Sequence, residues 1–581
     1  MDKHSISMPS FIKKNIHLIV LGAFCSFAVS CATVYTGLTT GSFLLSAVFA
    51  SVFSALLATV IMRKRDGARI TLLQSAMISA SMIAACMSSV LPGAINNTAV
   101  RVNVPATYFL SPTISGFGDY FANKKLYAIS TSQIAENAAE GESVAVLTVP
   151  IILISIAALV LGILIAWMLR AKCVTDKSLN FPEAVVSSEI MSLGSVAHGR
   201  KHGLDAPIAA VISAGFTFLR EKLYSIPFSL QSKALKLKSG IDIGLVLSPM
   251  IAGFGYIAGL RRGIFMLIGS LLAHVVATPA MMRFAGFDFD KASSLRLQAG
   301  MGLLLGIGIG VFADHVLKRM EERENRIERD EIGYYSPVIR MISNTIKVGV
   351  FVIAYILLCV GGVSPVIALI LVPTAYFACC SVAMVRGGSG VFTGTIPAVL
   401  GASVVMALDV IVGFELVDIF LAVFFVAAVC ATAGEHINAY KTGSLIGASA
   451  KQQLFMMCVG GTVGTVSALI FFLSSMSSDL TAVTPVAQQI KEAFFAGASP
   501  AVILLSAALS AAFVLMGLPV GSFTVGVLLP FSYGACFFFG SVSGAVAKRF
   551  TKNKNGVAVG LITGECAIVF LFALIGWIGG F

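Results

Sequence analysis

Apolar residues run along this chain in blocks of membrane length, with polar residues gathered between the blocks. The apolar runs fall at 17–35, 43–62, 70–91, 144–169, 206–219, 243–260, 264–282 and 297–316, then at 348–360, 366–385, 391–412, 416–433, 454–473, 501–518, 525–547 and 557–578. A helix needs roughly 20 apolar residues to cross the hydrocarbon core, and most of these runs have that length or fall a little short. The pattern predicts an all-α polytopic membrane protein of about 16 transmembrane helices, in two similar halves, with short broken or re-entrant helices.

The highly charged block KRMEERENRIERDE, Lys318 to Glu331, lies near the midpoint and has no apolar face. It divides the chain into an N-terminal membrane half (1–317), a charged cytoplasmic linker (318–337) and a C-terminal membrane half (338–581). Two halves of similar span count suggest an internal duplication. Lys/Arg placement sets orientation. Lys13/Lys14, the 63–69 loop, Arg170, Arg261/Arg262, the linker and Arg386 are all expected on the cytoplasmic side, with the N-terminus. The clusters Lys233/Lys236/Lys238 and Lys548–Lys554 disobey that alternation. The loop 92–143 is expected on the outer face. The first apolar run is too long for a signal peptide and shows no cleavage site, so it is read as a retained span.

Two polar stretches interrupt this scheme. SLNFPEAVVSSEIMSLGS, Ser178 to Ser195, starts a helix at Pro182 and carries Glu183 and Glu189. AGEHINAYKTGSLIGASAKQQ, Ala433 to Gln453, lies between two long runs in the other half. Paired interrupted segments in corresponding halves are the best sequence pointer to a transporter's substrate site. The bland alternative is a pair of solvated loops. Glu435, Asn438 and Thr442 share one face if the second stretch is helical. Polar residues inside apolar runs add Gln74, Tyr256, His274, Asp409 and Glu565. Charges within a membrane span are costly and mark function or paired contacts. Glu565, mid-run, is the leading candidate for proton coupling, with His274 as a second. Structural readings stand beside each: a packing histidine, an interfacial carboxylate, or a bridge between helices.

Enzyme readings are weak. GEHIN lacks the second histidine of a zincin helix. GGSG, Gly387 to Gly390, matches a short serine-protease-like pattern, with His436 as a conceivable base, but glycine is abundant (55 residues). No enzymatic activity is expected.

Composition agrees with the pattern. Hydrophobic residues make up 57% and charged residues only 12%, against roughly 25% charged in soluble domains. Mean hydropathy is +0.92. The net charge of +12 reflects loop Lys/Arg, and no nucleic-acid motif accompanies it. The 11 cysteines lie in apolar runs without CxxC spacing, as small buried hydrophobes do. No metal site and no cofactor are predicted.

Five segments resemble, in order, those of the oligopeptide transporter (OPT) family, which includes the yellow-stripe-like metal-chelate transporters. They are YTGLTTG (Tyr35–Gly41), LNFPEAVVSSEIM (Leu179–Met191), SPMIAGFGYIAGLRRG (Ser248–Gly263), EHINAYKTGSLIGASAKQQ (Glu435–Gln453) and GLITGE (Gly560–Glu565). Departures fall at Thr39, where the family has Lys, at Glu183-Ala184 for Ser-Gly, at Asn438-Ala439 for Gln-Asp, and at Ala450 for Pro. Arg386–Gly390 matches only part of the family's R-x-x-G-E-T-G. The length and short tails resemble bacterial members.

The resemblance implies a proton-coupled secondary active importer of small oligopeptides or metal-chelate complexes, working by alternating access in the plasma (bacterial inner) membrane. Metal would enter as part of the substrate. The expected substrate-binding residues are Glu189, Tyr256, Glu435, Asn438 and Lys441, the last meeting a substrate carboxylate. Glu565 and His274 are the expected proton-coupling residues. Expected partners are the small-molecule substrate, protons and membrane lipids, with no nucleic acid; a homo-oligomer is compatible with all of this. The rival functions are a passive channel and an intramembrane serine protease that would use Ser389.

Overall fold

A computed structural model of the chain describes residues 8–40, 47–61, 66–97, 143–175, 179, 181–194, 205–223, 227–231, 236, 238–326, 337–389, 399–406, 416–475, 499–547, 549 and 555–579. The chain is an all-α polytopic membrane protein; among the described residues one two-stranded antiparallel sheet pairs β1 (Ser229–Gln231) with β2 (Gly244–Val246). Among the described residues, eight helices are long and apolar enough to cross a bilayer. Shorter apolar helices such as Pro249–Ala258, Pro500–Leu515 and Phe531–Ala547 accompany them.

In the first half the helices are α1 (Met8–Lys14), α2 (Ile16–Thr40), α3 (Ala47–Ile61), α4 (Gly67–Asn97), α5 (Ser143–Thr175), α6 (Pro182–Gly194), α7 (Asp205–Leu223), α8 (Pro249–Ala258), α9 (Leu260–Leu271), α10 (Thr278–Phe284) and α11 (Phe289–Arg326). In the second they are α12 (Pro337–Val360), α13 (Pro365–Ser389), α14 (Leu416–Ile446), α15 (Ala450–Ser475), α16 (Pro500–Leu515), α17 (Val520–Leu528), α18 (Phe531–Ala547) and α19 (Gly556–Gly579). Asp409, the heart of the 92–143 loop and residues 327–336 of the expected linker lie outside the described residues; α11 carries the chain unbroken past Lys318 to Arg326.

Two expected spans are broken. The run 243–260 begins as β2 and becomes helical only at Pro249, whose missing N–H suits the first helical turn. Ser248 caps that helix, its Oγ accepting from Ile251 N, and Gly259 ends it at φ +90°. The run 525–547 divides at Leu529-Pro530 into α17 and α18. Broken helices are tolerated at membrane depth only where protein satisfies the freed backbone groups. A π-helical turn, Leu272–Ala277, joins α9 to α10; such turns recur at functional sites.

The polar stretch after Ala433 is not a loop. Helix α14 runs straight through it to Ile446. Only then does Gly447, at φ +87°, turn the chain; its N–H and that of Ala448 both close on Gly443 O at 2.8 Å. Glu435, His436 and Asn438 therefore lie inside a membrane-length helix. Helices α4 and α14 are each fully buried over an 18-residue apolar stretch and form the centre of the bundle. Their polar residues are turned mostly toward other helices, as expected of a helix surrounded by protein. Around the rim, Val348, Val352 and Ile356 of α12 and Leu504 and Leu505 of α16 are exposed, as lipid-facing residues are.

Helices of the two halves interleave. Helix α7 packs on α19, α8 on α18, α9 on α17 and α11 on α16. Small residues let these backbones close up. A Cβ on Gly255 of α8 would lie 2.0 Å from Phe537 O of α18, and one on Gly526 of α17 would lie 2.1 Å from Met266 O of α9. Larger residues at either position would force the helices apart.

Candidate functional site

Arg386 lies near the C-terminal end of α13 and is wholly buried. The sequence reading treated it as an orienting loop charge; burial among α6, α13 and α14 overturns that. It is paired with two carboxylates. Its Nη2 donates to Glu183 Oε2 in a very short contact and lies 2.6 Å from Glu435 Oε1. Both glutamates are buried as well. One guanidinium between two carboxylates leaves the cluster one negative charge in surplus when all three are ionised.

The local structure explains how these groups meet. Phe181, just before α6, has φ +43°, unusual for a bulky residue. Its N–H donates to Gly387 O at 3.1 Å, its ring is fully buried, and Pro182 then starts α6. This strained junction pins the α6 N-terminus to the residue after Arg386. Glu183 in the first turn gains from the helix dipole. Glu435 arrives from α14, near the middle of its long buried span.

Glu435 Oε2 has no hydrogen-bond partner within the protein, and neither amide atom of Asn438 has one. Asn438 is wholly buried. Its backbone carbonyl accepts from Thr442 Oγ1 at 3.0 Å, so the predicted Glu435/Asn438/Thr442 spacing is realised on a real helix. Buried polar groups without partners cost about 1–3 kcal/mol each, and native proteins keep few of them.

The other expected site residues lie elsewhere. Lys441 Nζ donates to Val174 O at 2.7 Å, at the end of α5, and sits 5.9 Å from the Phe181 ring. It neutralises a helix C-terminus, so its ammonium is already engaged. Glu189 Oε1 accepts from Asn555 Nδ2 at 3.2 Å, binding α6 to the residue before α19. Tyr256 is buried between α8 and α18, its ring 2.9 Å from where a Cβ on Gly544 would stand.

Glu565 forms a second ion-pair cluster. Its Oε1 pairs with Arg220 Nη1 at 3.1 Å, and its Oε2 accepts from Ser248 Oγ at 2.9 Å and from Met250 N at 2.7 Å. Arg220 also donates to Leu247 O at 2.7 Å and reaches Glu221. Glu565 thus ties α19 to α7 and to the N-terminus of α8, where a carboxylate is favoured.

His274 belongs to a third cluster, on the π-helical turn. Its Nε2 is 2.8 Å from Leu529 O, the carbonyl before the Pro530 break. Arg296 Nη1 lies 2.8 Å from Nδ1 and 2.7 Å from Nε2. Asp242 Oδ2 stands 3.6 Å from Nδ1 and 3.3 Å from Lys236 Nζ. The protease dyad is not formed: Ser389 Oγ donates to Val385 O of its own helix, and neither ring nitrogen of His436 has a hydrogen-bond partner.

The sequence reading brought Glu435 and Asn438 together correctly as neighbours on α14. It missed Arg386 and Glu183 as their partners. The signal was there: Arg386 interrupts the apolar run VAMVRGGSG, and an intramembrane charge calls for an opposite charge.

Comparison with known proteins fits this architecture. The profile of the family described as OPT oligopeptide transporter protein matches residues 14–302, about half of the chain. The chain belongs to the OPT family. A candidate oligopeptide transporter of Haemophilus influenzae is 30% identical over 119 residues, which span 20% of this chain and 19% of that protein. Of the charged cluster, Glu183 falls inside the family match, as does His274 of the π-helical turn. Arg386, Glu435 and Glu565 lie beyond it.

Proposed function

We propose that this protein is a secondary active transporter, not an enzyme, and that it imports small oligopeptides across the bacterial inner membrane by proton-coupled alternating access, with the N-terminus cytoplasmic. The observation that carries the reading is the Glu435–Asn438 face of α14. There a surplus carboxylate, an unpartnered Glu435 oxygen and an unpartnered carboxamide lie at the centre of the bundle. A peptide supplies the complement: an ammonium group for the carboxylate and backbone amides for Asn438. Sealed burial of the face suits an occluded state, which opens to one side at a time as the halves shift. The pairing of helices supports such a movement. Exchanging the halves turns the α7–α19 contact into α16–α11 and the α8–α18 contact into α17–α9, and all four contacts are present. These contacts support reading 1–317 and 338–581 as two repeats related by a two-fold operation.

The family name and the name of the Haemophilus relative both point to oligopeptides. Metal chelates built from amino acids carry the same ammonium and carboxylate groups and are the rival cargo. Purified protein in proteoliposomes with an inward proton gradient tests the reading. The expected result is accumulation of labelled di- to tetrapeptides above equilibrium, collapsed by a protonophore and blocked by Glu435→Gln. Equilibration without accumulation would make the protein a channel. Accumulation of a metal-loaded chelator in place of every peptide would replace the cargo.

A further inference from the structure

Beside the Glu435–Asn438 face, helix α14 carries a second line of polar groups on its side toward α5. Thr432, His436 and Tyr440 recur at intervals of four and so line up along one side of the helix. All three are buried, at 0%, 0% and 2% exposure. Thr432 Oγ1, both His436 ring nitrogens and Tyr440 OH have no hydrogen-bond partner within the protein.

The surroundings fix where this line points. A Cβ on Gly162 of α5 would lie 2.7 Å from Thr432 Cβ, so α5 and α14 approach closely at that level. Two turns along, the Tyr440 ring stands edge-on to Trp167 of α5, centroids 6.0 Å apart. Arg170 closes that end, 3.7 Å above Trp167 and 6.0 Å from the Tyr440 ring. The line then meets Gln453 of α15. The Gln453 side chain fills the space beside Gly443, and its Oε1 is likewise buried and unpartnered. From Thr432 to Tyr440 the helix rises about 12 Å.

One orphaned hydroxyl is unremarkable in a helix. Four buried residues along one seam, each with an unpartnered polar atom, are not, because each such atom costs free energy unless something hydrogen-bonds it; of Gln453 only Oε1 is open, its Nε2 donating to Ser75 Oγ at 3.2 Å and to Ala439 O at 2.9 Å. Neutral groups spaced along a seam, hydroxyls and an imidazole that donate and accept and a carboxamide oxygen that accepts, match one ligand: water in single file. A water site needs two to four polar partners, and this seam supplies them in series.

We propose that the Thr432–His436–Tyr440 seam between α5 and α14, ending at Gln453 of α15, is a hydrated proton path, with His436 as the group that holds the moving proton. A hydronium ion on one side gives its proton to one ring nitrogen, becoming water and leaving the imidazolium. The other ring nitrogen then releases its own proton to the next water, leaving neutral His436 in the opposite tautomer. Charge and atoms balance, and rotation of the ring resets it. Charged side chains on the packed helices are Arg69 on α4, Arg170 and Lys172 on α5, Glu183 and Glu189 on α6, Arg386 on α13 and Lys451 on α15; Glu435 and Lys441 lie on α14 itself. None of them is hydrogen-bonded to His436. The path therefore runs along the same helix as the Glu435–Asn438 face but on another side, so that one helix couples proton and cargo.

This inference rests on the transport reading, and its test separates the two. Wild-type protein and His436→Gln are compared in proteoliposomes for peptide counterflow, which needs no gradient, and for accumulation under an inward proton gradient. The expected result is that His436→Gln keeps counterflow within two-fold of wild type but loses at least ten-fold in gradient-driven accumulation. The isosteric variants Tyr440→Phe and Thr432→Val should lower accumulation three-fold or more, and they serve as the test if His436→Gln does not fold. Full gradient-driven accumulation in these variants would overturn the proton path and leave the transport reading intact. Failure of the wild type in both assays would overturn both.

Discussion

The molecule contains two buried arginine–carboxylate sites built from the same chemistry and finished differently. At Arg220–Glu565 only one carboxylate is buried, the second partner of Arg220, Glu221, being 43% exposed, and each Glu565 oxygen has a partner: Arg220 on one side, Ser248 and the Met250 N–H on the other. At Arg386 there are two carboxylates, with one oxygen of Glu435 and the whole Asn438 amide left without partners. A buried pair that is fully hydrogen-bonded holds helices together, and removing one member leaves an uncompensated charge. A buried cluster with surplus charge and open valences is poorly explained by stability and well explained by a ligand. What marks a charge as a candidate for function here is the lack of satisfaction around it, more than its depth in the sequence.

Substitutions at the two sites should therefore behave in opposite ways. The largest effect is expected from Arg386→Met, which strands two carboxylates and should cost about 3–5 kcal/mol. Fluorescence-detected size-exclusion chromatography should show loss of the monodisperse peak, and adding Glu183→Gln with Glu435→Gln should restore it. Unaltered thermal stability of Arg386→Met would break the comparison at its base. Next, Glu565→Gln should destabilise by about 2–3 kcal/mol, the worth of hydrogen bonds to a charged group. Uptake per folded molecule should survive. Loss of proton-driven uptake at unchanged stability would instead return Glu565 to the coupling role suggested by its mid-span position.

Glu435→Gln should do the reverse. It removes the surplus charge and leaves Arg386 paired with Glu183, so melting temperature should hold or rise while peptide uptake disappears. Asn438→Leu sharpens the same point, with a gain of about 1 kcal/mol from deleting an unpaired amide and a several-fold weaker apparent affinity for peptide. The smallest effect is expected at Lys441→Met, where loss of one hydrogen bond to the α5 terminus should cost about 1 kcal/mol and leave KM unchanged. A raised KM there would show that Lys441 leaves Val174 to meet a substrate carboxylate.

Much of this architecture could be read from the chain. Apolar runs such as 70–91 and 144–169 reappear as α4 and α5, because bilayer thickness alone dictates their length. Pro182 starts α6 as expected, and the 3.6-residue period placed Glu435 and Asn438 on neighbouring turns. Other features resisted the same logic. The stretch after Ala433 reads as a gap, because hydropathy averages cannot distinguish a solvated loop from a helix whose polar groups face other helices. The runs 243–260 and 525–547 read as continuous spans, although Pro249, Gly259 and Pro530 break them.

The sequence by itself determined that this is a multi-pass helical membrane protein, which stretches of it are polar, and its likeness to a transporter family. Those properties are local sums over consecutive residues. Tertiary structure alone decided that Arg386 meets Glu183 and Glu435 from 203 residues before it and from the neighbouring helix, and that Glu565 meets Arg220 across 345. It also decided that Lys441 is engaged at a helix end. Whether a buried charge is satisfied depends on groups far away along the chain, and no window of sequence contains them.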